Sequence, residues 1–269
     1  KNTMYLIKTE CGREIRVTKN HKFYLKNKVK KTLDLKLGDK LIVPYSMKIR
    51  EMLQDKLDLL DFFKDVKGLM VRGVGKFIFN FVKKSGGRSK FRENFNLSKN
   101  SLDNYLLRDS FPIGFVKKFL SFYGLSFDDL PRFLKLGVVR CRVSIPRFIP
   151  FNKDVLYLVG LYVAEGYSRS SKMLNQVEFS MSEKEIRERV GRIVKKYFGL
   201  NPSRITEERF IFSSRLFYSF FNKLGCGRIA KEKRIPFLIF NLSKKQLSWF
   251  LQGYFDGDGS VSYSDCRVT

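Results

Sequence analysis

The sequence predicts an α+β fold in three parts: a short all-β segment over residues 1–48, a helical insert over 49–147, and an α/β unit over 148–269 that begins to repeat itself. Three observations predict it. Short β-rich runs punctuated by turns open the chain, a helical period takes over in the middle, and the pattern then reads helix, strand, strand, helix, strand, strand, helix. A further helix restarts the pattern of that unit's first one.

Composition bounds the class. With 269 residues, 43% of them hydrophobic, the chain can bury the cores of two or three folding units. Its 53 Lys and Arg face 26 Asp and Glu, a net charge of +27 that repels itself unless a polyanion lies against it. The excess is spread along the chain, with 14 basic and 4 acidic residues in 1–50, 19 and 10 in 51–150, and 20 and 12 in 151–269. That spread suits a long surface for double-stranded DNA better than a single basic tail. Cys11, Cys141, Cys226 and Cys266 lie far apart, and one histidine cannot complete a zinc site with them, so reduced thiols in the cytoplasm are expected. The longest apolar run, 155–164, is about half a bilayer span, so no membrane association is expected. The start at Lys1 and the end at Thr269 read as cuts in a longer chain.

Taken in order, strands are expected over 4–9, 14–18 and 23–25, with Gly38 and Asp39 turning the chain before a strand over 40–43. From Glu51 to Phe127 the period is helical, and Leu53, Leu57, Leu60 and Phe63 fall on one face. A short helix over 88–95, an N-cap at Ser98, Pro112 opening another helix and Gly124 closing it give helix-turn-helix spacing. The residues over 98–105 would then form a recognition helix gripping DNA through Lys99, Asn100 and Asn104. Asn152 caps an apolar helix ending at Glu165, a strand follows over 176–181, and Ser182 with Glu185 reads as a capping box for a helix stopped by Gly199. Two strands over 204–213 and a helix to Leu224 complete the αββαββα unit, and Ser243 caps the helix that restarts it.

The restart carries the chemistry. LVGLYVAEG from Leu158 and LQGYFDGDG from Leu251 place an acid at the eighth position, Glu165 and Asp258, and small residues at the third and seventh, Gly160 with Ala164 and Gly253 with Gly257. Small residues four apart lie on one helical face, so the two strips can meet with the backbones nearly touching. A helix-interior glycine costs about 1 kcal/mol relative to alanine, which calls for a packing reason. Two carboxylates at the negative ends of adjoining helices repel unless a divalent cation lies between them. Two carboxylates and a backbone carbonyl, that of Gly257, together with a phosphate suit Mg²⁺ or Mn²⁺, which would serve phosphodiester hydrolysis. Taken singly, Asp256 and Asp258 read as polar turn residues, and no basic residue inside 250–261 neutralises either of them.

Both nonapeptides, with the block KEKRIPF from Lys231, resemble the LAGLIDADG homing endonucleases in their two-motif, single-chain form, over residues 149–269. The resemblance implies a monomer with two pseudo-symmetric motifs cutting both strands of a long asymmetric site. It implies that Glu165 and Asp258 are the metal-binding catalytic acids and that Lys233 polarises the attacking water; Glu at the first position is a departure from Asp. DNA would lie on the sheet surface, with Arg169, Lys172, Arg204, Arg209 and Arg267 as candidate contacts. The second repeat stops at its second strand, so one half of the DNA-facing saddle is expected to be incomplete. GREIRVTKNHKFY from Gly12 resembles the intein block with a Thr-x-x-His core, here Thr18 and His21, which implies a partial Hint splicing domain set within a host protein. Neither splice junction is present, so splicing would be ancestry. The alternatives are a cleavage-inactive DNA- or RNA-binding relative, a regulator or maturase, and a remnant of a splicing element.

Overall fold

The computed structural model describes residues 3–10, 12, 14–42, 55–171, 174–206, 208–259, 261–262 and 267–268. The chain divides into two compact units, Lys1–Ile49 and Arg50–Thr269.

In the first unit, β1 (Met4–Lys8) pairs antiparallel with β2 (Glu14–Thr18), and β3 (Lys22–Leu25) with β4 (Lys28–Lys31). A 3-10 turn over Thr32–Asp34 follows β4; neither was expected from the sequence. The strand expected over 40–43 reduces to one bridge, Leu41 to Leu25, and Val43 lies outside the described residues. Lys30 pairs with Asp39 at 2.7 Å, which ties the Gly38–Asp39 turn to β4.

The second unit opens with β5 (Lys56–Asp58) and α1 (Leu59–Phe63). This corrects the helical face drawn through Leu57: Asp58 caps α1 by accepting from Leu60 N at 2.9 Å, so the helix starts after it, and Leu57 pairs in a strand with Ile149. Leu53 lies outside the described residues. Next come β6 (Leu69–Arg72), α2 (Gly75–Lys84), α3 (Arg88–Phe95), α4 (Lys99–Leu107), β7 (Ser110–Pro112), α5 (Ile113–Phe122), β8 (Lys135–Val138), β9 (Ser144–Pro146) and β10 (Phe148–Pro150). β10 pairs with β5, while β7, β6, β8 and β9 form a sheet in that order, absent from the sequence expectation because each strand is three or four residues long. Ser98 caps α4 and Pro112 precedes α5, as their sequences suggest.

Then α6 (Lys153–Glu165), β11 (Gly166–Ser170), β12 (Asn175–Ser180), α7 (Lys184–Phe198), β13 (Arg204–Ile205), β14 (Arg209–Ser213) and α8 (Arg215–Leu224) follow in the order αββαββα. The four strands make an antiparallel sheet in the order β11-β12-β14-β13. Asn152 caps α6 as expected, whereas the capping box at Ser182 does not form: Glu183 is the N-cap of α7 and makes no side-chain cap bond. Gly199, at φ 63°, ends α7 in the left-handed region open to glycine. α9 (Lys244–Asp258) begins with a capping box between Ser243 and Gln246, and β15 (Val261–Ser262) pairs with β16 (Arg267–Val268).

One hydrophobic core runs through this unit from Leu59 to Phe250, crossing position 148 without a break. Among the described residues, the charged side chain of Arg147 is buried to 1% exposure. Its guanidinium donates from Nε to Asp58 Oδ2 at 3.0 Å and from Nη2 at 2.6 Å, a paired geometry that satisfies an otherwise costly buried charge.

Candidate active site

The glycine strips of α6 and α9 face each other. A Cβ on Gly160 would collide with the Phe250 carbonyl oxygen, and one on Gly253 with that of Tyr157, so either helix's backbone occupies the space a side chain would need on the other. One turn on, a Cβ on Gly257 would lie 2.5 Å from Ala164 Cβ and 3.1 Å from Glu165 Cγ. No bulkier residue fits at these crossings.

The helix ends match as well. Gly166 follows Glu165, and Gly259 follows Asp258, both with extended backbone (ψ 151° and 141°). Each donates its N–H four residues back, to Tyr162 and Phe255, and in each a Cβ would strike that same residue. Glu165 and Asp258 are thus delivered side by side from two helices that terminate alike. Burial pushes the Glu165 carboxyl up, and the facing Asp258 carboxylate, followed by Glu183, pushes it further. Neither acid has an ion-pair partner within 4.0 Å among the described residues.

Asp256 differs: Arg189, reaching over from α7, pairs with it at 3.6 Å and lies 3.4 Å above the Tyr157 ring. The sequence reading that left Asp256 without a counter-charge is corrected by a partner 67 positions away, which no local pattern shows. Beside Glu165 a hollow of about 360 Å³ opens, flanked by Glu183, Glu208 and Asp256.

Lys233 lies within electrostatic reach of both acids. Its ammonium donates to the Tyr162 carbonyl at 2.5 Å and sits 3.6 Å above the Tyr162 ring. Burial lowers its pKa to about 8 against the opposing pull of Asp258 and Glu165. Tyr162 is itself fixed, its ring stacked on Phe221 at 3.8 Å and its hydroxyl donating to Ser168 Oγ at 2.8 Å. Cys226, buried nearby, has its thiol pushed up to about 12 by burial, so it remains protonated; sequence reading assigned it no place at the site.

The residues suit a hard divalent cation in part. Two facing carboxylates with no cationic partner supply the oxygen donors, but among the described residues no group of three or more His, Cys, Asp and Glu is arranged to hold a metal. Further ligands would have to be backbone carbonyls, as at Gly257, or oxygens of a bound phosphate.

The sheet carries a polar ladder across its strands. Arg169 donates to Gln176 at 2.8 Å, Gln176 to Ser213 at 3.0 Å, and Ser213 meets Ser203 at 2.9 Å. Arg209 lies 3.5 Å from Glu178, and Arg204 is exposed on the edge strand β13. Lys172 lies outside the described residues, and Arg267 is placed only as part of β16. Lys99, Asn100 and Asn104 are exposed on α4. In the first unit, Thr18 ends β2 and His21 precedes β3; Thr32 Oγ1 donates to the Thr18 carbonyl at 2.9 Å, and the His21 ring meets Phe23 edge-on at 5.0 Å.

Among the described residues no helix is long and apolar enough to cross a membrane. No family model matches the chain. It is 34% identical over 272 residues to the DNA polymerase II large subunit of Thermococcus kodakarensis, covering 96% of this chain and 14% of that protein. It is 28% identical over 279 residues to an uncharacterized protein of Methanocaldococcus jannaschii, MJ1054, covering 95% of this chain and 29% of the other. Over 118 residues it is 31% identical to an iron-sulfur cluster assembly SufBD family protein of Mycobacterium leprae, 43% of this chain and 14% of that one. The chain therefore spans between about a seventh and a third of the length of these relatives.

Proposed function

We propose that this chain is part of an intein-borne, site-specific DNA endonuclease of the LAGLIDADG type, hydrolysing phosphodiester bonds with Mg²⁺ or Mn²⁺. The observation that carries the reading is the crossing of α6 and α9, which sets Glu165 and Asp258 together with Lys233 close by. Carboxylates at two helix C-termini are electrostatically unfavourable and serve no packing need, whereas a cation between them turns the arrangement favourable.

The relatives support the element being an insertion. Proteins with unrelated names, a polymerase subunit and a SufBD family protein, share with this chain a segment that is a small part of each. A common catalytic domain of polymerases would not recur there, while a mobile element lodged in several hosts would. The host protein would then flank this chain, and the unit Lys1–Ile49, with Thr18 and His21, would be the remnant of its splicing domain.

Glu165 and Asp258 would hold the cation with the Gly257 carbonyl, and when bound it would lower the pKa of a water and stabilise negative charge on phosphate. Lys233, with a pKa near 8, can give or take a proton at neutral to mildly basic pH, and its tether to the Tyr162 carbonyl keeps the amine beside the last turn of α6. Hydrolysis joins the water oxygen to phosphorus as the ester P–O bond breaks, one proton leaving the water and one reaching the departing oxygen. Duplex DNA would lie along the sheet β11-β12-β14-β13, where Arg169, Arg204 and Arg209 supply positive charge.

The test is selection from a randomised duplex library with Mg²⁺ or with EDTA, sequencing retained and cut molecules. Asp258→Asn is expected to abolish metal-dependent nicking while changing affinity less than about threefold, since the acid serves the transition state rather than binding. Equal losses of cutting and affinity would overturn the role of Asp258; selective retention with no nicking would favour a cleavage-inactive binder.

A further inference from the structure

The region around α2, α3 and α4 is strongly basic: residues 75–108 hold eight Lys and Arg and two acids. Between these helices lies an open groove of about 730 Å³, within the range of small-molecule sites. Phe79 and Lys76 of α2 line one side, Asn100 and Asn104 of α4 another, and Leu107, 84% exposed, stands at its rim.

The groove's charges are largely accounted for internally. Arg88 is paired with Asp103 at 3.0 Å, and Asp109 accepts from Gly75 N at 2.6 Å, capping α2. Among the described residues, the ammonium of Lys76 and the side-chain amides of Asn100 and Asn104, one helical turn apart, show no intramolecular partner, while Asp109, meeting only the Gly75 N–H, keeps its negative charge. Each amide offers a donor and an acceptor on one planar edge. Phe79, whose ring carries the Lys83 ammonium 5.1 Å over one face, and Leu107 add apolar surface for a flat ring.

Resting on the nucleic-acid reading above, we propose that this groove binds one unstacked nucleotide of a nucleic acid strand. Its base edge meets the Asn100 and Asn104 amides, its ring face lies against Phe79, and its phosphate is held by Lys76. A base within a duplex cannot present its ring face to Phe79. An acidic peptide would need several free cations, and among the described residues lining the groove only Lys76 is outside an ion pair.

The experiment is photocrosslinking of the whole chain to a short single-stranded DNA carrying one 5-iodo-2′-deoxyuridine, with peptide mapping by mass spectrometry, alongside affinity measurements on single-stranded and duplex DNA at fixed salt. Adducts are expected on peptides of α2 and α4. The double variant Asn100→Ala, Asn104→Ala changes only exposed residues and so folds. It is expected to lose the adducts and about tenfold in single-strand affinity, with a clearly smaller loss of duplex affinity. Lys76→Ala is expected to reduce the salt dependence of single-strand binding by about one ion. Adducts confined to other segments, or unchanged single-strand affinity in the double variant, would overturn the proposal. Failure of the nuclease reading is separate: a chain that never nicks DNA but retains the groove adduct loses the endonuclease and keeps the nucleotide site, whereas duplex selection without the adduct does the reverse.

Discussion

Lys233 shows how one residue's surroundings set its chemistry. Its amine is buried against the Tyr162 ring and carbonyl, and its pKa falls from an ordinary 10.5 to about 8. Between those values the unfolded chain holds the proton and the folded chain releases it, so stability rises with pH across that window and is level below it. Lys233→Met removes the buried charge. The stability of the variant relative to the parent should therefore be greater at pH 7 than at pH 10, by about 1–3 kcal/mol, as read from urea unfolding without added metal. An equal difference at both pH values would show that the amine is not held as a buried charge. The residue was legible in the sequence by its place in KEKRIPF, but its carbonyl tether was not, because the partner sits 71 positions earlier.

At the scale of elements, α6 and α9 are near copies in unlike surroundings. Leu158 and Tyr162 of α6 are fully buried, while Leu251 and Phe255, at the same places in α9, are 37% and 45% exposed. The shared strips decide how the pair packs. Gly160→Ala should destabilise the second unit by about 1–3 kcal/mol, because its methyl group must displace the backbone of α9. Gly114→Ala, in α5 with nothing within 4 Å of the new Cβ, should instead be neutral or stabilising by up to about 1 kcal/mol. Thermal unfolding of both variants checks the contrast, and matching shifts would refute a close α6–α9 crossing. Long elements with caps, such as α6 and α9, were legible from periodicity and end residues, and α7 from its period and Gly199 though not from its N-terminal end. The sheet formed by β6 to β9 was not, since strands of three or four residues carry too few alternations to be told from a helix or a loop.

For the whole molecule the net charge of +27 is the dominant quantity. If the binding surface neutralises about 6–10 phosphates, affinity for duplex DNA should fall by about 10³–10⁵ between 50 and 200 mM salt. A binding titration across that range measures the slope. A flat dependence would mean the excess charge is merely solvated and does not face the polyanion.

The sequence by itself determined the caps at Ser98, Asn152 and Ser243, most of the helical periods, the basic excess and the two matched nonapeptides, because these depend on a residue's near neighbours or on simple counts. It also marked Glu165 and Asp258 as a pair worth matching. Only the tertiary structure decided that Arg189 neutralises Asp256, that Asp58 encloses the charge of Arg147, and that Asn100 and Asn104 line a groove with α2. Each of these joins residues on separate elements, and a buried charge or an open groove is a property of what packs around it, which no stretch of chain carries alone.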